Sequence, residues 1–102
     1  MDSIVTHVEN PGTIPNEFTL YQNYPNPFNP TTVISYQLPV SSNVSIKVYD
    51  LLGREVSTLV EEYKQAGKYQ INFNADGLSS GVYYYQLKTG NFIQTKKLIF
   101  LR

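Results

Sequence analysis

Apolar and polar residues alternate along most of this chain with the two-residue period of a β-strand. Ile34, Tyr36 and Leu38 interleave with Val33, Ser35 and Gln37, and Val44, Ile46 and Val48 with Ser45, Lys47 and Tyr49. Tyr69, Ile71 and Phe73 do the same with Lys68, Gln70 and Asn72, and Tyr83, Tyr85 and Leu87 with Val82, Tyr84 and Gln86. Each stretch is expected to be a strand with one wet face. The expected core is Ile34, Tyr36, Val44, Ile46, Val48, Ile71, Phe73 and Leu87. The last strand, Phe92 to Leu101, is apolar at both ends, which leaves its inward face open. Turn chemistry separates these runs. Gly90-Asn91 has the Gly-first order of a type II′ hairpin. In Asp50-Leu51-Leu52-Gly53, Asp50 can bond the backbone and Gly53 can take positive φ. Asn74-Ala75-Asp76-Gly77 and Ser79-Ser80-Gly81 are further breakers. Strands and turns at this spacing predict an all-β antiparallel sandwich or barrel of about seven strands.

Three segments depart from the alternation. Residues 1–17 are polar, carry Pro11-Gly12 and Pro15, and read as a linker, with the domain proper at 18–102. The run Pro25-Asn26-Pro27-Phe28-Asn29-Pro30 is too rich in proline for a central strand. Tyr24 and Phe28 are expected to anchor it while the prolines block edge pairing. Val56, Leu59, Val60 and Tyr63 fit a helical template, with Gly67 placed as a C-cap. Arg54 to Val60 is nevertheless expected to be a strand, because it leaves a hairpin at Gly53. A helical turn around Glu61 to Gln65 stays open.

Composition narrows the class. A chain of 102 residues fits one domain. It has no cysteine, which excludes disulfides, thiolate metal sites and cysteine nucleophiles. The net charge is zero, so no overall field favours nucleic acid or an anionic membrane and no nucleic-acid partner is expected, but the charge is unevenly spread. Every Lys and Arg lies at or after Lys47, and no acidic residue follows Asp76, whereas Lys88, Lys96, Lys97 and Arg102 do. The chain thus ends in a basic segment. No apolar run approaches the length of a membrane span. Met1-Asp2-Ser3-Ile4 has neither the basic nor the apolar part of a signal peptide, so the expectation is either a protein not exported by that route or a piece of a longer precursor.

Catalytic constellations find little support, and no cofactor is implied. The single histidine, His7, lies in the linker, a poor place to preorganise a triad. Glu61 and Glu62 are neighbours that a strand points to opposite faces. Asp50 and Asp76 are ordinary turn residues. Asn72, Asn74, Asp76 and Gly77 match the opening of a calcium loop, but Tyr83 stands where a bidentate Glu belongs, so a turn is the better reading. Asn43-Val44-Ser45 is a formal glycosylation sequon. Tyr84, on the face opposite Tyr83 and Tyr85, offers a ring for sugar stacking, though tyrosine is also a common strand residue.

Longer motifs carry a resemblance. Ile14 to Leu20 runs into Gln22-Asn23-Tyr24-Pro25-Asn26-Pro27-Phe28-Asn29-Pro30-Thr31-Thr32 and on to Ile34-Ser35-Tyr36-Gln37-Leu38-Pro39. Val48-Tyr49-Asp50-Leu51-Leu52-Gly53, Ala66-Gly67, Leu78-Ser79-Ser80-Gly81-Val82-Tyr83 and Lys96-Lys97-Leu98-Ile99-Phe100-Leu101-Arg102 follow. Together these closely resemble the type A C-terminal sorting domain of the type IX secretion system of Bacteroidetes-related bacteria. The immunoglobulin-like domain of flagellar hook-capping proteins is similar. The resemblance implies an immunoglobulin-like β-sandwich at the end of an exported precursor. It implies passage through the periplasm to the cell surface or medium, without insertion of the domain itself in a membrane. The implied partners are an outer-membrane translocon, its shuttle barrel, a surface sorting peptidase and the linked cargo. It assigns recognition to Gly81, Val82, Tyr83, Lys96, Lys97 and Arg102. A docking edge formed by the last hairpin is the expected physical means. The competing readings are a structural or adhesive immunoglobulin-like module kept on a secreted protein, or a carbohydrate-binding module.

Overall fold

The computed structural model describes residues 14–102, and the assignments made to His7 and to most of the linker lie outside them. The alternating runs become strands: β1 (Thr19–Leu20), β2 (Thr31–Leu38), β3 (Ser42–Tyr49), β4 (Glu55–Lys64), β5 (Gly67–Asn74), β6 (Gly81–Thr89) and β7 (Phe92–Phe100). They form two antiparallel sheets, ordered β1-β2-β5 and β4-β3-β6-β7. The fold is therefore an all-β sandwich, as the alternation predicts, and among the described residues there is no helix.

The core lies between the inner faces. Seven of the eight expected core residues are buried, and the eighth, Ile71, packs against them from the edge strand β5. Tyr36 stacks on its cross-strand neighbour Tyr69 at 5.3 Å between ring centroids. Tyr85 is fully buried and ties the sheets together, its hydroxyl donating to the Tyr21 carbonyl at 2.6 Å. Burial pushes the Tyr85 phenol up to about 12 and raises that of Tyr36 further, so both stay neutral in the core. Tyr69 and Tyr83 each donate to a carbonyl four residues upstream, those of Gln65 and Ser79, both at 2.7 Å. This is the tyrosine-corner arrangement of immunoglobulin-like domains, and it pins the entries to β5 and β6.

The helical spacing in β4 has a structural cause. In the β3–β4 register Tyr49 faces Glu55, Val48 faces Ser57, Lys47 faces Thr58 and Ile46 faces Val60. Val56 and Leu59 are the extra residues of two irregularities in the ladder. Each bulge resets which side of the strand points inward. Val56, Leu59 and Val60 thus all reach the core from a strand, which imitates i, i+3, i+4. The open question at Glu61 to Gln65 resolves as strand through Lys64. At the other hairpin Thr89 pairs with Phe92. That leaves a two-residue turn in which Gly90, at φ 53°, takes the positive angle that primed turns require.

The ambiguous last strand also resolves. Leu98 and Phe100 are buried, Phe92 packs on Phe18 at 5.3 Å, and Ile93 is exposed. The even-numbered positions of β7 face the core and the odd ones face out.

Candidate docking site

β7 lies at the edge of the four-stranded sheet, and the proline-rich run lies along its outer side. The Phe28 N–H donates to the Ile99 carbonyl, and the Leu101 N–H donates to the Phe28 carbonyl, both at 3.0 Å. Asn26 Oδ1 accepts from the Ile99 N–H at 2.9 Å, and Gln22 Nε2 donates to the Lys97 carbonyl at 2.6 Å. Phe28 is buried against Phe100 at 5.4 Å and Phe73 at 6.0 Å, so one ring bridges both sheets. The Pro30 carbonyl accepts from Ala75 N–H. The run therefore pairs with an edge and covers it, where the sequence suggested a segment that only blocks pairing. Phe28 is the anchor. Tyr24 is not: its ring is 80% exposed, and its backbone alone is held, by both hydrogen bonds to Val33. Covering of Lys97 to Leu101 also removes that half of β7 from the strand-addition edge expected earlier.

Of the residues assigned to recognition, Gly81, Val82, Tyr83 and Arg102 sit where β6 begins and β7 ends, because Gly81 pairs with Phe100 and Val82 with Ile99, while Lys96 and Lys97 stand mid-strand opposite Tyr85 and Tyr84. They do not all face outward. Tyr83 is buried, and its hydroxyl is spent on Ser79. It holds the turn in place and presents no ring to a partner. Lys96 shares the inner-face parity of Leu98 and Phe100 and is half-buried. Lys97 and Arg102 are exposed, whereas Val82 and Tyr84 are half-buried on the outer face, where Tyr84 stands between Tyr49 and Lys97. Arg102 is tethered by its backbone N–H to Ser80 Oγ and by its guanidinium to the Leu78 carbonyl at 2.8 Å. The guanidinium also lies over the Phe100 ring.

The β3–β4 hairpin tip stands beside these residues. Asp50 Oδ1 accepts from the N–H groups of Leu52 and Arg54, each at 2.9 Å. Oδ2 binds the Arg54 side chain at 2.8 Å. The Arg54 backbone N–H above all, with the Arg54 side chain and Leu52 N–H, holds the Asp50 carboxyl below the usual carboxylate range. Gly53 sits at φ 83°, a conformation that a side chain would strain. Both turn roles read from the sequence are realised. The sequence reading passed over the two residues between them. Leu51 and Leu52 are 66% and 77% exposed. The available signal was two adjacent leucines in a turn whose geometry needs only the Asp and the Gly. The calcium-like stretch is a turn as expected, with Asn74 Oδ1 accepting from Asp76 N–H at 2.8 Å.

The profile of the secretion system C-terminal sorting domain matches residues 22–101, from the Gln22 that caps β7 to the Leu101 that ends it. The chain belongs to this family. No curated protein matches the chain. The sorting domain is a signal for type IX secretion, carried by a cargo protein and read by the secretion machinery, and it directs export toward the cell surface or the extracellular space. The family is non-catalytic.

Proposed function

We propose that the sorting domain docks on the outer-membrane translocon and its shuttle barrel through the end of the four-stranded sheet where β6 starts and β7 stops. Val82, Lys97 and Arg102 make the contact. Gly81, Tyr83 and Lys96 shape the strands that present them. The observation that carries this reading is cationic charge with no ion-pair partner among the described residues. The ion pairs among the described residues join Lys47 to Glu55, Arg54 to Asp50 and Lys64 to Glu62. None of them uses a cation after Asp76, so those of the last hairpin stay available to an anionic partner surface. The cargo precedes the domain, crosses the periplasm with it, and is freed by a surface peptidase that cuts within residues 1–17. The domain side of that boundary is already ordered: Phe18 stacks on Phe92, and the Glu17 carbonyl accepts from Gln37 Nε2.

The test is a periplasm-directed reporter fused ahead of Met1 in a host with the secretion system. The fusion should reach the surface while the reporter alone stays in the periplasm. Equal retention of both would refute the reading. Mass spectrometry of the released reporter should place its end before Phe18, and a product that keeps Tyr24 to Pro30 would refute that cut.

A further inference from the structure

The hairpin tip has features that the fold itself does not require. Leu51 and Leu52 contribute little to the core, yet five hydrogen bonds fix the loop that carries them: Asp50 N–H to the Arg54 carbonyl, Gly53 N–H to the Asp50 carbonyl, and three to the Asp50 carboxylate. A tip held this way pays no ordering entropy when it is buried by something else. Between it and the start of β6 lies a hollow of about 210 Å³, lined by Asp50, Leu51, Leu52 and Arg54 on one side and by Ser80 to Tyr83 on the other. Ser80 also holds Arg102. The two leucines, Val82 and Arg102 therefore belong to one continuous surface.

We propose that Leu51 and Leu52 are the apolar anchor of the docking surface, inserting into an apolar groove with an acidic rim on a protein of the export machinery. The proposal rests on the sorting reading above and names what the partner must offer. The rim follows from charge. Asp50 is paired with Arg54, and Glu55 with Lys47, whereas Arg102 and Lys97 make no ion pair among the described residues and give this face its positive charge. A second copy meeting the same face across a two-fold axis would set these cations against each other. A lipid surface would meet the convex leucines but leave the adjoining hollow unfilled, whereas a protein groove can fill it with a side chain.

The experiment uses the full-length reporter fusion in the secreting host. Leu51→Ser/Leu52→Ser should lower surface delivery roughly 10- to 100-fold, as expected when two leucines lose burial in a partner. The melting temperature should not change. Val40→Ser is the control, since Val40 is 57% exposed in the loop at the opposite end of β3, and it should be delivered like the parent. Leu52→Gln, at the most exposed position, repeats the test with the least effect on folding. Normal delivery of either leucine variant overturns the proposal while the sorting reading stands. A parent that is not delivered overturns the sorting reading and this inference with it. A parent dimer in sedimentation, or flotation of the parent with anionic vesicles, that the double variant abolishes assigns the leucines to another occupant and also overturns it.

Discussion

The proline-rich run from Tyr24 to Pro30 and the hairpin tip from Asp50 to Arg54 are both held by short polar side chains that bond the backbone. In the first, Asn23 is buried and donates to Thr32 Oγ1 at 2.9 Å, Thr32 donates to the Pro25 carbonyl, and Asn26 takes the Ile99 N–H. In the second, Asp50 collects three donors of its own turn. The run delivers Phe28 to the seam between the sheets, whereas the tip delivers Leu51 and Leu52 to water. Rigidity alone thus does not mark a structural or a functional loop. The destination of the apolar residue does. A loop ordered around a buried ring completes the fold, and a loop ordered around exposed leucines is prepared for a partner.

The comparison breaks most visibly at Phe28. Phe28→Ala removes the ring shared by Phe73 and Phe100 and loosens the strip that covers β7. The expected cost is about 3–5 kcal/mol of stability, measured by chemical denaturation. A loss below about 1 kcal/mol would mean that the run is held by its backbone bonds alone, and the contrast with the tip would fail.

A pH series sharpens the same contrast. The Asp50 carboxyl is held below its ordinary range by the turn, so its contribution to the folded state is complete above about pH 4 and is lost as pH falls through the lowered value. Asn23 does not titrate, so the run has no such dependence. Protection of the Leu52 and Arg54 amides, taken relative to their intrinsic exchange rates, should fall on acidification before that of Phe28 and Leu101. Simultaneous release of both regions would show that the tip is not an independent unit.

Much of this was legible in the sequence because a strand with one wet face writes its burial into alternate residues. The turns at Asp50–Gly53 and Gly90-Asn91 announced themselves by residue type. What escaped reading depends on pairing between distant segments. The bulges at Val56 and Leu59 exist only relative to β3, so in isolation they look helical. The role of the proline run depends on β7, some seventy residues away, whose outward carbonyls the sequence does not display. Tyr83 and Tyr84 are alike by type, and only the register separates the ring that holds a corner from the ring that faces solvent. Lys96 and Lys97 differ for the same reason.

The smallest expected effect is on stability when the terminal cations are removed. Lys97 and Arg102 are exposed and Lys96 is half-buried, and none is in an ion pair among the described residues. Replacing all three by Gln should shift stability by only about 0.5 kcal/mol per site, as surface substitutions usually do. Arg102 is where a larger loss would come from, since its guanidinium bonds the Leu78 carbonyl and covers Phe100. Arg102→Lys, which keeps the charge but loses the planar guanidinium, therefore separates that contribution from charge. Delivery of the reporter should fall steeply in the triple variant, far beyond what its small loss of stability explains, and added salt should weaken binding of the parent to its acceptor. If the triple variant is exported like the parent, the cations are only a solvated face, and the leucines of the tip would have to carry recognition by themselves. Combining the charge and leucine variants then decides whether the two act on one partner. Effects on one interface should be non-additive for neighbouring contacts, and independent losses that simply multiply would place them on different partners.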